Sequence, residues 1–385
     1  MRARNNTTRN TRLGIETLED RTVPTVFGSS GGLSIAVGDV LWAGGLISQN
    51  NQMIIGAGPG EPGIVKIENT SNQVLQSFYP FGTSYTGGIT VATGDATGDG
   101  HDDLVVGTGG KTVGTVEVYE YINGGLQRIA KITPFGATYS GGVDVAVGNV
   151  TGQVAGSFNP GVADNVVVGE MSGGATVKVY GYDDSDGKPT YDQLRSFVAY
   201  PNYTGGVSLT VGAIYSTSSL TLNTDQQLEQ VITGKAASMP EVAIWNVQNT
   251  KVVRLADYMA FNTSVAADRA GINVVAGDTD DILGSEIFVN LKGTGIVEAL
   301  NGQTSQILAT VNTYPSSFGT MVNFAVGGLN SNTPTQDDYT DGFAYVRDLV
   351  VVSANCPLNL NSYQMPVAFL GALFSPATLN GTQDE

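Results

Sequence analysis

GGITVATGDATGDGHDDLVVGTG, residues 87–109, holds two short β-branched runs on either side of a loop rich in acids and glycines. Ile89–Thr93 alternates apolar and polar residues, and Leu104–Val106 is a brief apolar run. Neither has the sustained 3.6-residue period of a helix, so both read as strands.

The pattern recurs outward from there. GGLSIAVGDV begins at Gly31, GGVDVAVGNV at Gly141, GGVSLTVGAI at Gly205, AGINVVAGDT at Ala270, and a worn copy, GTMVNFAVGGL, at Gly319. The late glycine of each run falls at Gly38, Gly94, Gly148, Gly212, Gly277 and Gly327, at spacings of 56, 54, 64, 65 and 50 residues. After each comes a second apolar run (MIIGAG, LVVGTG, VVVGEM, VITGKA, IFVNLK, VVVSAN) and a third (IVKIE, TVEVYEYI, TVKVYGY, EVAIWNV, IVEAL, PVAFL). A fourth follows in five copies: VLQSFYPF, LQRIAKITPF, QLRSFVAY, KVVRLADYMAF and SQILATVNTYP. Asn123-Gly124 supplies a tight hairpin between the third and fourth runs of the second copy.

Each unit is thus a four-stranded antiparallel meander that cannot bury both faces alone, so copies must stack. The expected fold is all-β, a six-bladed β-propeller of four-stranded antiparallel blades, with seven blades as the alternative. The last copy lacks a good fourth run, and TVFGSSGGLSIAVGD has the phrasing of a fourth strand leading into a first. Val23–Phe27 is therefore expected to close the ring as an N-terminal strand. The division is residues 1–22 as a basic N-terminal targeting segment, 23–376 as the propeller and 377–385 as a polar tail.

Composition bounds the chemistry. Of 385 residues, 51 are glycine, and Asp and Glu outnumber Lys and Arg by 35 to 18, for a net charge of −17. That field repels nucleic acid and anionic membranes and suits cations. One cysteine, Cys356, excludes an intrachain disulfide, and one histidine, His101, removes serine triads and zinc–histidine clusters. No apolar run reaches the length of a transmembrane span.

Within the opening stretch, Asp95, Thr97 and Asp99 alternate, Gly100 permits a bend, His101 offers a carbonyl and Asp103 follows. Hard oxygen donors on a flexible loop suit Ca²⁺ far better than Zn²⁺. An EF-hand needs a Glu at its twelfth position, which is Val106 here, so the loop is of the shorter kind between strands. The competing reading is a solvated Asp-Gly turn. Asp278, Asp280 and Glu286 mark a weaker second candidate in the fifth copy, the third copy retains Asn149 and Thr151 ahead of Asp164, and Asp183–Gly187 reads as a plain turn.

GDATGDGHDDLVVGTG resembles the FG-GAP, integrin-α-like propeller repeat, Asp-x-Asp-x-Asp-Gly-x-x-Asp before a short strand, with Thr97 in place of the usual second acid. The likeness runs over roughly residues 25–375. It implies a calcium-stabilised extracellular propeller used in adhesion and recognition, whose cation loops are structural. The phrase Leu18-Glu19-Asp20-Arg21, behind Arg2, Arg4, Arg9 and Arg12, is similar to an N-terminal signature of exported planctomycete proteins, which implies secretion or a place at the cell surface.

The expected function is a non-catalytic adhesion, recognition or surface-structural module. Its partner would be a protein or glycan on rim loops such as Leu41–Gln52, Gly152–Asp164, Ser216–Glu229 and Asn330–Arg347. A calcium-dependent carbohydrate-active enzyme is the alternative, resting on pairs such as Asp102–Asp103 and Asp280–Asp281. Adjacent residues tend to point apart, which weighs against it. Tyr203 and Tyr339 are candidates for stacking on sugars, with Tyr203 more at home as a structural part of its turn.

Overall fold

In the computed structural model, the residues described are 33–42, 51–69, 73–152, 163–215, 228–247, 251–261, 270–277, 284–312, 322–327, 348–353 and 360–363. They form a β-propeller. Its first blade is β1 (Ser34–Gly38), β2 (Gln52–Gly56), β3 (Val65–Glu68) and β4 (Val74–Phe78). The second is β5 (Ile89–Gly94), β6 (Asp103–Thr108), β7 (Val116–Ile122) and β8 (Gly125–Ile132), and the third β9 (Val143–Gly148), β10 (Asn165–Glu170), β11 (Thr176–Asp183) and β12 (Thr190–Val198). The fourth is β13 (Val207–Gly212), β14 (Gln230–Lys235), β15 (Glu241–Asn246) and β16 (Val253–Met259). The fifth is β17 (Ile272–Gly277), β18 (Glu286–Leu291), β19 (Ile296–Asn301) and β20 (Ile307–Asn312). Each is an antiparallel meander in sequence order.

The expectation of six or seven four-stranded blades is corrected here. The described residues form five four-stranded blades, and what remains is a three-stranded sheet of β21 (Val322–Gly327), β22 (Asp348–Ser353) and β23 (Leu360–Tyr363). The sequence placed the last copy's third strand in the apolar run at 366–370, one run too late. The third strand itself is Leu360–Tyr363; the run expected to form it, 366–370, and Val23–Phe27 both lie outside the described residues.

First strands line the centre. β1, β5, β9, β13, β17 and β21 each lie against the next, and β21 returns to β1. Apolar clusters sit between successive blades. Ile54, Val65 and Ile67 of the first blade pack with Val91, Leu104 and Tyr119 of the second, and Val105 and Val118 of the second with Val166 and Tyr180 of the third. Blades three and four, and four and five, repeat the arrangement. Because each cluster draws on two blades, one blade alone would expose half of it.

The paired glycines that open each copy have a backbone reason. The second glycine of three pairs, Gly88, Gly142 and Gly206, and Gly271 after Ala270, have φ between 83° and 91°, where a side chain is strained. At Gly142 a Cβ would also lie 2.6 Å from the Gly109 carbonyl oxygen. A tyrosine three or two residues earlier staples the turn to the next blade. Tyr85 donates to the Gly110 carbonyl and Tyr139 to that of Ser172, both at 2.9 Å, and Tyr203 bonds Ala237. Tyr203 therefore serves the turn, as its sequence context suggested.

Every complete blade carries a β-bulge at one register position on its third strand, between Ile67 and Glu68, Val118 and Tyr119, Val179 and Tyr180, Ile244 and Trp245, and Ala299 and Leu300. Four of the residues after the break are large and buried. The first blade puts a carboxylate there: Glu68 is fully buried, and neither of its oxygens has a hydrogen-bond partner among the described residues. Burial holds its pKa above the ordinary value, opposed by the charge of Lys66.

Candidate functional site: the acidic loops at the channel mouth

The Asp95–Asp103 loop joins β5 to β6 and is folded around its own carboxylates. Asp95 Oδ1 accepts the N–H groups of Gly98 at 2.7 Å and Asp99 at 2.9 Å, and its Oδ2 accepts that of Gly100 at 2.9 Å. Asp99 Oδ1 accepts the His101 N–H at 2.9 Å, and Asp103 Oδ2 accepts the Thr97 N–H at 2.9 Å. Gly98 and Gly100 take φ of 78° and 90°, which is how the chain turns tightly enough for this. Thr97 is buried at 3% exposure, and its hydroxyl has no well-formed hydrogen bond among the described residues, although it lies near enough to Asp103 to act on that carboxyl.

The five residues picked out by the sequence do gather in one loop, though with different parts to play. Asp99 is exposed, Asp95 half-buried and Asp103 buried. The His101 ring stacks on Trp42, from the equivalent loop of the first blade, with centroids 3.7 Å apart and planes 10° apart. Asp103 is pushed up to about 8, first by burial, then by the charge of Asp99, with the nearby Thr97 side chain opposing and Glu120 and Asp95 adding to the rise. Asp95 is also raised, chiefly by burial, against the pull of the Gly100 and Gly98 N–H groups.

Asp103 opens its second strand, and the residues that open the second strands of blades one, three and four do the same job. Gln52 Oε1 accepts the Leu41 N–H at 3.0 Å, Asn165 Oδ1 accepts those of Val150 and Thr151 at 3.1 and 2.9 Å, and Gln230 Oε1 those of Ile214 and Tyr215 at 2.8 Å. All are buried. The shared requirement is one acceptor oxygen beneath the turn, which Gln, Asp and Asn each satisfy. Sequence reading passed over the set because its members differ in name and charge.

One residue earlier sits a second set that crosses between blades. Asp102 Oδ2 accepts the Asp39 N–H at 2.8 Å, Glu229 Oε2 the Asn149 N–H at 2.8 Å, and Ser285 Oγ the Ala213 N–H at 3.2 Å. Return bonds run from the N–H groups of Asp164, Glu229 and Ser285 to the carbonyls of Asp95, Asn149 and Ala213 at 2.7–2.9 Å. The late glycine of each repeat makes the room. A Cβ on Gly38 would lie 2.7 Å from Asp102 Oδ2, and one on Gly94 would lie 3.1 Å from Asp164 Oδ2. Asp164 is pushed up to about 8 by burial and then by the charges of Glu229, Asp95 and Asp102. Asp102 and Asp103 point apart, one across to the first blade and one into its own turn, so they form no acid–base pair.

Below this mouth a polar belt circles the channel. Ser34 Oγ accepts the Val91 N–H at 3.1 Å, Thr90 donates to Val143 at 2.8 Å, Asp144 Oδ2 accepts the Leu209 N–H at 2.9 Å and Ser208 Oγ that of Val274 at 3.1 Å. Asn273 donates to Asn323 at 3.0 Å, and Asn323 donates to the Leu33 carbonyl. One side chain at the same place in every first strand thus ties it to the next, and the last bond joins β21 to the start of β1.

The loop's donor chemistry fits a hard divalent cation: the oxygens of Asp95, Asp99 and Asp103, two of them raised chiefly by burial, and a buried hydroxyl with no hydrogen-bond partner among the described residues. As placed, the carboxylates serve backbone N–H groups, and among the described residues no three His, Cys, Asp or Glu side chains converge as a ligand shell. In the fifth copy, Asp278, Asp280 and Asp281 lie outside the described residues, and Glu286 is the buried residue opening β18. Asp183–Gly187 is a hairpin turn, with Asp183 Oδ1 accepting the Ser185 N–H at 2.9 Å. Tyr339 and most of the long rim loops are outside the described residues.

These features define a β-propeller with acid-lined loops at one mouth of its channel. No protein-family model matches the chain, and no curated protein matches it. Among solved structures, it is similar to a chain of a crystal structure of the mitotic checkpoint complex, at 12% identity and a TM-score of 0.43, covering 91% of this chain and 84% of that one. It is also similar to Sqt1 of Saccharomyces cerevisiae (11%, 0.41, 90% and 98%) and of Chaetomium thermophilum (12%, 0.40, 89% and 74%). Among the described residues no helix is long and apolar enough to cross a membrane.

Proposed function

We propose that the chain is a non-catalytic, calcium-stabilised recognition propeller, exported to the cell surface or secreted, which presents rim loops to a protein or glycan partner. The observation that carries the cation part is the Thr97 hydroxyl, buried and without a well-formed hydrogen bond among the described residues, in the loop that holds Asp95, Asp99 and Asp103. Ca²⁺ would be held by those carboxylates and Thr97, with His101 contributing its carbonyl. Its charge would offset the burial, and then the Asp99 repulsion, that raise Asp103, and would pin the loop to β6, a contribution to folding and not to chemistry. The likeness of this loop to FG-GAP repeats supports the same role.

The absence of acid–base geometry at Asp102–Asp103 supports recognition over hydrolysis, and the Leu18–Arg21 phrase supports export. Thermal unfolding of the full chain with Ca²⁺ and with chelator tests the reading, alongside a polysaccharide hydrolysis panel. A calcium-dependent rise in Tm that is lost in Asp95→Asn, with no turnover, is expected. Chelator-sensitive hydrolysis, or a Tm indifferent to Ca²⁺, overturns it.

A further inference from the structure

The groove between the first two blades, on the face opposite the acidic loops, has a different character. A cavity of about 260 Å³ opens there, lined by Phe81, Tyr85, Thr112, Glu117, Arg128 and Lys131 among others. Glu117 is buried at 1% side-chain exposure; its Oε1 receives Arg128 Nη1 at 2.9 Å and Lys131 Nζ at 3.3 Å, and its Oε2 receives the Tyr119 hydroxyl at 2.7 Å. One carboxylate thus anchors two cations whose side chains are still 50% and 55% exposed. A guanidinium has five N–H donors and an ammonium three, so most remain to be satisfied from the cavity.

The next groove shows what is special here. At the register position of Glu117 the third blade has Lys178, paired with Val168 as Glu117 is with Val106. Its ammonium reaches 5.7 Å from the Phe135 ring centre, and Phe135 is the counterpart of Phe81 in the repeated FG-x-x-Y turn. The chain therefore fills the groove between blades two and three with its own side chain. Between blades one and two, the shorter Glu117 is drawn back onto Arg128, Lys131 and Tyr119, and the space before Phe81 stays open.

We propose that this groove binds a sugar ring bearing an anionic group, a uronate carboxylate or a sulfate ester. Arg128 and Lys131 meet the anion with charge-assisted hydrogen bonds, the exposed Thr112 hydroxyl meets ring hydroxyls, and the Phe81 ring provides an apolar wall. The volume lies below the ordinary range for drug-sized ligands and suits a single ring. The site stands apart from the cation loop and does not depend on it.

The test is titration of the full chain, by calorimetry or ligand-observed NMR, with glucuronate, glucose 6-sulfate, glucose, acetate and inorganic sulfate. One or both anionic sugars are expected to bind at least about tenfold more tightly than glucose and the free anions, and Lys131→Gln to weaken that about tenfold. Lys131 is half exposed, so the variant keeps its fold, which a thermal melt verifies; Lys188→Gln serves as the distant control. Equal binding of glucose, equal binding of acetate or sulfate, no effect of Lys131→Gln, or no binding at millimolar concentrations overturns the proposal. A glycan bound elsewhere with Lys131→Gln unaffected would sink this site and leave the recognition role standing.

Discussion

The carboxylate of Asp102, on the second blade, accepts the backbone N–H of Asp39, on the first, at 2.8 Å, and occupies the space that a side chain on Gly38 would need. The contact spans 63 residues and joins two blades at the channel mouth. Asp102→Ala strands that N–H and is expected to cost about 1–3 kcal/mol in chemical denaturation, whereas Asp102→Asn keeps an acceptor and costs less. Gly38→Ala is expected to cost a similar ~1–3 kcal/mol through overpacking. A wild-type midpoint in Gly38→Ala would show that the blades are free to separate there.

Glu68 stands where the other complete blades have Tyr119, Tyr180, Trp245 and Leu300, and its buried oxygens have no hydrogen-bond partner among the described residues. Glu68→Leu is expected to raise stability by about 1–3 kcal/mol, the ordinary cost of an unsatisfied buried polar group. Loss of stability in that variant would mean the carboxylate has a role at this seam.

Asp103 and Asp164 are both pushed up to about 8. A carboxyl whose folded pKa lies above its unfolded value favours the folded state while it is protonated, so the benefit fades as pH rises from about 4 to about 8. In chelator, Tm is expected to fall across that window. Asp103→Asn, which keeps an oxygen for the Thr97 N–H as Asn165 does for its own turn, should flatten the fall. Ca²⁺ should restore Tm at pH 8 in the wild type and do so less in Asp103→Asn. A Tm that rises from pH 5 to 8 in chelator would contradict the sign.

Trp42 stacks on His101 at 3.7 Å, so one of the chain's two tryptophans reports on the cation loop. Addition of Ca²⁺ is expected to change tryptophan emission in the wild type and not in Trp42→Phe. An unchanged spectrum under conditions where Ca²⁺ raises Tm would place the ion away from this loop.

The blades were legible because their causes are local. Alternation in ITVAT, the Asn123-Gly124 turn and the repeated Gly-Gly are short-range signals, and even the acidic loop could be read as one unit from Asp95 to Asp103. The latches were not. Asp102, Glu229 and Ser285 share a place and a task but no residue type, and their partners lie 63 to 80 residues away. Trp42 lies in no motif that points to His101, and the cavity between blades one and two exists only because Glu117 bonds Arg128 and Lys131 across its sheet.

The amino-acid order alone determined that this chain makes repeated antiparallel sheets that must stack, and that its oxygen-rich loop falls between two strands, because periodicity and turn chemistry act within a few residues. Tertiary structure alone decided how many sheets have four strands, which carboxylates meet across blades and which groove stays open. Those outcomes depend on burial and hydrogen bonding between segments far apart in the chain, where an Asp, a Glu or a Ser can fill the same place.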